Sequence, residues 1–217
     1  MLVTGEVYHI FTRSIAGFKI FNNDSEFLRI IEALRFYQRE KQSISLSKYN
    51  KLQAKVETLH FDVDMHRGRN EYLVDIIAFC IMPTHLHLIL KQLKDNGITG
   101  FMGNLLNSYS RYFNIKHNRK GPLWEGRFKK VLVENDEYLL HLTRYLHLNP
   151  VTAGLVDSPM DWQASSFQEY ISGANIKNKL CSFGDLLDIT PLVYKKFVED
   201  RISYQRELAK IKDLLLE

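Results

Sequence analysis

Residues 71–91, EYLVDIIAFCIMPTHLHLILK, place the first constraint on the fold. Two apolar runs, 71–80 and 85–91, have strand length and pattern, and the intervening IMPT suits a tight connection. The two strands are therefore expected to be antiparallel neighbours. Side chains of a strand alternate between its faces, so His85 and His87 leave one side and Leu86, Leu88 and Leu90 the other. Two neighbouring imidazoles on a rigid strand can grip one metal ion. Eight histidines in 217 residues also make an accidental His-x-His common, so the pair alone does not decide.

The flanking segments supply the rest of a sheet. VYHIFTR (7–13) alternates as a strand. Asn23 and Glu26 then have the spacing of a capping box, and Phe27, Ile30, Ile31, Leu34 and Tyr37 recur at helical spacing. A second long helix is marked by Phe101, Met102, Leu105, Tyr109, Tyr112 and Phe113, and the Gly-Pro at 121–122 breaks it from a strand at 126–134. Asn135 is placed to cap a third helix, with Asp136 and Glu137 in its first turn. Pro150 predicts that this helix stops near Asn149.

The order β-α-β-β-α-β predicts an α+β fold, a ferredoxin-like antiparallel sheet with helices on one face, followed by an additional helix. The polar stretch 41–70 reads as an insertion, partly helical. Residues 1–160 form the expected main domain, and 161–217 a mostly helical C-terminal extension.

Composition narrows the setting. No run approaches the ~18 apolar residues of a membrane span, the N-terminus lacks a signal-peptide layout, and neither Cys80 nor Cys181 belongs to a Cys-x-x-Cys pair. A cytoplasmic protein with no membrane partner is expected. The net charge is only +4, but RYFNIKHNRKGPLWEGRFKK (111–130) holds seven Lys/Arg against one acid, Glu125. Arg111, Arg119, Lys120, Arg127, Lys129 and Lys130 can neutralise phosphates, and Trp124 can stack on an unpaired base. A solvated loop whose aromatics serve the core is the plainer reading of the same stretch.

On the third helix, His141, Tyr145 and Asn149 follow at steps of four and share a face. Taken alone, Tyr145 is a helix tyrosine and Asn149 a cap before a proline. Joined to THLH, they suggest phosphodiester chemistry. A phenol with its ordinary pKa of ~10 is a poor nucleophile at neutral pH, and a phosphodiester repels nucleophiles. A divalent cation held by two imidazoles and a carboxamide oxygen would polarise the phosphoryl oxygen, and tyrosine could then form a covalent phosphoester.

AFCIMPTHLHLIL, SYSRYFN, GPLWEGRFKKVLVENDEYLLHLTRYLHLNPVTAGLV and WQASSF together resemble the transposase IS200-like family, the single-tyrosine HUH transposases. The closest branch is the REP-associated tyrosine transposases, and the resemblance runs over about residues 5–170. It implies a transposase that cuts and rejoins hairpin-bearing single-stranded DNA through a 5′-phosphotyrosine, as a monomer or homodimer. By position it makes Tyr145 the nucleophile and His85, His87 and Asn149 the ligands of Mg²⁺ or Mn²⁺. Thr84 stands where the family commonly has Asn. Arg144, beside Tyr145, is a candidate for placing the scissile phosphate. Tyr109 and Tyr112 are rival nucleophiles, read as packing residues. His9 is assigned to the sheet, His117 to the basic loop and His147 to the helix flank, none of them to the metal. Two other functions remain open: a catalytically inactive DNA-binding module or repressor, and a metal-dependent phosphodiesterase.

Overall fold

The computed structural model describes residues 1–40, 44–56, 71–172 and 179–207. Strands β1 (Val7–Arg13), β2 (Val74–Met82), β3 (His85–Gln92) and β4 (Lys129–Leu132) form one antiparallel sheet in the order β2-β3-β1-β4. Helix α1 (Asp24–Tyr37) follows β1, α2 (Leu46–Val56) lies in the polar stretch, and α3 (Gly97–Lys116) follows β3. The split β-α-β-β-α-β arrangement is present. The two-residue turn at Pro83–Thr84 makes β2 and β3 the expected hairpin. What lay beyond α2 in the stretch to residue 70, and the last ten residues of the chain, fall outside the described residues.

One face of the sheet is dry. Ile10, Leu86, Leu88 and Leu90 pack against Ile30, Ala33 and Leu34 of α1 and Phe101, Met102 and Leu105 of α3. At the start of α3, Gly97 lies against the backbone of Leu73. A Cβ at Gly97 would stand 2.3 Å from the Leu73 carbonyl oxygen.

The other face is covered as well, by the additional helix and the elements that follow it. Helices α4 (Asp136–Thr152), α5 (Phe167–Ile171) and α6 (Pro191–Glu199) pack Leu139, Leu142, Leu146, Phe167, Tyr170, Tyr194 and Val198 onto Ile77, Ala78, Cys80, Met82 and Ile89. A register shift between Ile76 and Ala78 turns Ile77 and Ala78 to the same face. The residues after 160 are bound into this second core. Trp162 Nε1 donates to Ile81 O (3.0 Å), and the Tyr170 hydroxyl to Ile77 O (2.8 Å).

Three local expectations change. The N-cap residue Asn23 makes no side-chain bond to the helix backbone, and Glu26 instead accepts from the Asn22 N–H (2.7 Å). Glu26 is fully buried on the α1–α3 side. Burial alone would raise its pKa, but bonds from Lys116, Asn22 and His117 hold it at about 2. Helix α4 runs through Pro150 to Thr152, although Pro150 cannot donate back to Leu146. Burial of Leu148, Pro150 and Val151 outweighs that lost bond and the crowding of Asn149. His147 is not on a flank: it is fully buried, with Nδ1 2.7 Å from the Tyr194 hydroxyl and Nε2 2.8 Å from Ser166 Oγ. Its burial lowers the pKa to about 3, so the ring is neutral. By contrast, Asn135 caps α4 as expected, its side chain accepting from the Tyr138 N–H at 2.8 Å.

Candidate active site

The pairing register decides which side chains surround the two strand histidines. Across β3 and β1, His85 stands opposite Arg13 and His87 opposite Phe11. Across β1 and β4, Phe11 stands opposite Lys129. These residues, with Thr12, Glu125, Gly126 and Arg127, line a cavity of about 420 Å³ at the end of the sheet that the α4–α6 layer leaves open. Its rim is mainly basic. Arg13 is held by a two-point ion pair with Glu125, through Nε and through Nη2, the latter at 2.9 Å.

The imidazoles are neutral at ordinary pH. Burial lowers the His87 pKa to about 3, with His85 and His9 as further causes. Burial, then the Arg13 charge, lowers that of His85. His9 on β1, which sequence reasoning assigned only to the sheet, is lowered to about 4 by burial. Each neutral ring keeps one nitrogen lone pair. The Nδ1 of His85 is 2.9 Å from Thr84 Oγ1, and the Nδ1 of His87 is 3.0 Å from His9 Nε2. Both Nδ1 atoms are thus engaged by protein, which leaves both Nε2 atoms for another partner.

Helix α4 brings Tyr145 to the same place. Its ring meets His87 edge-on at 5.9 Å between centroids, and the side chain is 48% exposed. Asn149 lies four residues, just over one turn, further along α4, about 6 Å of rise. Its Nδ2 is buried with no hydrogen-bond partner, a position that costs about 1–3 kcal/mol when left unpaired. Rotating the amide would present its oxygen there instead. Two imidazole Nε2 atoms left over by the protein, and an amide whose buried Nδ2 is unpaired, are donors of the kind that suit a divalent ion with open positions for phosphate and water. Among the described residues, no three His, Cys, Asp or Glu side chains form a closed metal cage.

The structure sorts the other anticipated residues by location. Arg127 and Lys129 line the cavity, and Lys130 is its exposed neighbour on β4. Arg111 and Lys120 are exposed away from it. Arg119 is tied to Asn114 Oδ1 (3.1 Å) and Pro122 O (2.7 Å) beside Phe18. Arg144 turns towards α6, its guanidinium 4.1 Å from the Phe197 ring centroid and 2.7 Å from His141 Nδ1. Trp124 packs with Phe21 and Tyr109 and donates its indole N–H to Leu106 O (3.2 Å). Phe113 is buried, and Tyr112 and Phe128 lean on the same core. The aromatic residues of 111–130 therefore serve the core while its cations face solvent. Tyr109 is buried, donating to Ile20 O at 2.5 Å, which agrees with its reading as a packing residue.

Sequence reasoning gave no role at the site to His9, Arg13 or Thr84. Strand alternation puts His9 and Arg13 on one face of β1, but which face of β3 they join depends on register.

Residues 44–149 match the model of the family Transposase IS200 like. The resemblance read from the sequence holds. The matched span is just under half of the chain, narrower than 5–170, and it contains His85, His87, Tyr145 and Asn149. A Haemophilus influenzae protein provisionally named a REP-associated tyrosine transposase is 31% identical over 107 positions, covering 44% of this chain. The chain spans 60% of that relative's length. The ribosomal RNA small subunit methyltransferase H of Karelsulcia muelleri is 26% identical over 212 positions, covering 85% of this chain and 68% of that protein. The antiparallel sheet here has no parallel strand–glycine turn–helix unit of the kind that seats nucleotide-like cofactors, among the described residues. A solved structure titled as a REP-associated tyrosine transposase bound to a REP hairpin matches with a TM-score of 0.47 at 18% identity, covering 88% of this chain and 93% of that one. No described helix is long and apolar enough to cross a membrane.

Proposed function

We propose that this protein is a metal-dependent tyrosine transposase that cuts and rejoins hairpin-bearing single-stranded DNA. The contact between Tyr145 and His87 carries the reading, because it sets a half-exposed tyrosine beside a neutral imidazole that lines a basic-rimmed cavity. The name of the H. influenzae relative agrees with it.

His85, His87 and Asn149 would hold Mg²⁺ or Mn²⁺, which when bound polarises the phosphoryl oxygen and stabilises charge in the transition state. Arg127 and Lys129 draw the strand into the cavity, and Lys130 extends that field along β4. Arg13 exchanges part of its Glu125 pairing for a phosphate oxygen. Tyr145 then attacks phosphorus. The Tyr145 O–P bond forms as the P–O3′ bond breaks, the phenolic proton passes to water, and the departing 3′ oxygen gains one. The products are a 5′-phosphotyrosine and a free 3′-OH, and reversal onto another 3′-OH rejoins the strand.

The test incubates the protein with end-labelled hairpin DNA carrying single-stranded flanks, with Mn²⁺, and runs a denaturing gel. The expected product is a covalent protein–DNA species, mapped to Tyr145 by mass spectrometry and lost in Tyr145→Phe while DNA affinity is kept. Two free DNA ends with no adduct would identify a hydrolytic phosphodiesterase. Binding without cutting would identify an inactive DNA-binding module. An adduct on Tyr109 or Tyr112 would refute the assignment of Tyr145.

A further inference from the structure

We infer that His9 is a positioning residue that sets the ring tautomer of His87, so that the His87 Nε2 lone pair faces the cavity. The inference rests on the reading of His87 as a metal ligand.

His9 Nε2 and His87 Nδ1 are 3.0 Å apart, both rings are almost wholly buried, and their centroids stack at 5.2 Å. Two ring nitrogens at this distance need one donor and one acceptor. If His9 donates, the proton of His87 sits on Nε2 and the ring cannot ligate through it. If His87 donates from Nδ1, Nε2 carries the lone pair. Only the second arrangement fits a ligand role for His87.

A free neutral imidazole favours the Nε2–H form, so His87 needs an acceptor at Nδ1 to hold the other one. His9 is rigidly placed to be that acceptor. It lies on β1, which is paired on both sides by β3 and β4, and its ring also packs on Phe11 at 5.0 Å. Metal-bound histidines generally donate their second ring N–H to a carboxylate, carbonyl or water, and here an imidazole fills that place.

The neighbouring ligand repeats the device with a different group. Thr84 Oγ1, 2.9 Å from His85 Nδ1, can accept from it and leave the His85 Nε2 free. A hydroxyl there meets the same need for an acceptor that His9 meets at His87. Two unlike side chains, one on each ligand, thus orient the two Nε2 atoms in the same sense.

The test reads tautomers directly in metal-free, ¹⁵N-histidine-labelled protein by long-range ¹H–¹⁵N NMR, with Mn²⁺ affinity measured separately by calorimetry on the metal alone. In the wild type His87 is expected as the Nδ1–H form. In His9→Leu it should revert to Nε2–H, with Mn²⁺ affinity lower by roughly 10–100-fold. In His9→Gln, whose amide oxygen can accept at the same point, both properties should largely return. An Nε2–H His87 in the wild type, or undiminished Mn²⁺ affinity in a folded His9→Leu, would overturn the inference. If His9→Leu does not fold, His9→Gln decides: an Nε2–H His87 there has the same consequence. A wild type with His87 as Nδ1–H that takes up no Mn²⁺ would refute the metal reading while upholding the tautomer assignment.

Discussion

The two faces of the sheet are built from the same strands and do opposite work. On the α1–α3 face, Ile10, Leu86, Leu88 and Leu90 are completely buried, and the buried carboxylate of Glu26 is matched by Lys116 and His117. On the α4–α6 face, Ile77, Cys80 and Ile89 are equally buried, but the layer stops short of His85, Arg13 and Lys129. Adjacent residues of β3 therefore belong to different tasks. One parity of the strand supplies cohesion, and the other supplies polar groups that cohesion would not keep. A site on a strand inherits the rigidity of the core behind it.

Substitution of neighbours on β3 should break this contrast most sharply. His85→Ala or His87→Ala is expected to abolish the covalent adduct in the gel assay while the far-UV spectrum stays native, because neither ring is part of the apolar packing of α1 and α3. Leu86→Ala should do the reverse. It is expected to lower unfolding free energy by about 2–5 kcal/mol in urea titration, the range for a buried leucine, and to leave residual cutting in the fraction that remains folded. Wild-type adduct in His85→Ala, or a stability change below about 1 kcal/mol in Leu86→Ala, would erase the division between faces.

The faces should also part on acidification. The folded pKa of His147, about 3, lies below its unfolded value near 6.5. Its contribution is whole above pH 6.5 and is lost as pH falls towards 3, because the unfolded chain takes up a proton that the native ring refuses. Glu26, at about 2 against 4.5, loses its contribution only between pH 4.5 and 2. The α4–α6 face should thus weaken first. Between pH 7.5 and 5.5, His147→Gln should lose less stability than the wild type by about 1 kcal/mol, whereas Glu26→Gln should follow the wild type. Identical pH dependence of wild type and His147→Gln would argue against a buried neutral ring.

The smallest effect concerns the cavity rim. Lys129→Ala with Lys130→Ala should weaken DNA binding at low salt and reduce the slope of log affinity against log salt by roughly 1.4, if both lysines meet single-strand phosphates. Trp124→Phe, a change inside the core, should leave that slope alone. A slope unchanged by the double lysine substitution would move the DNA path away from β4.

Much of the architecture was legible along the chain, because strand and helix periodicities are local. The alternation of His85–Leu90 named the two faces of β3, the span 7–13 coincides with β1, and Asn135 caps α4 as its side chain and position require. Spacing made the two histidines, Tyr145 and Asn149 candidates, the family resemblance assigned their roles, and the fold gathers His85, His87 and Tyr145. Local rules failed where burial outweighed them. Helix α4 passes through Pro150, and Glu26 leaves the capping pattern to meet Lys116 and His117. Trp124, read as a stacking platform, is spent on the core. His9 and Arg13 became neighbours of the site through strand pairing between residues as many as 78 positions apart, as for His9 and His87. Periodicity tells which side of its own strand a residue leaves. Which side of another strand it joins is a matter of register, and register is set by the packing of both faces at once.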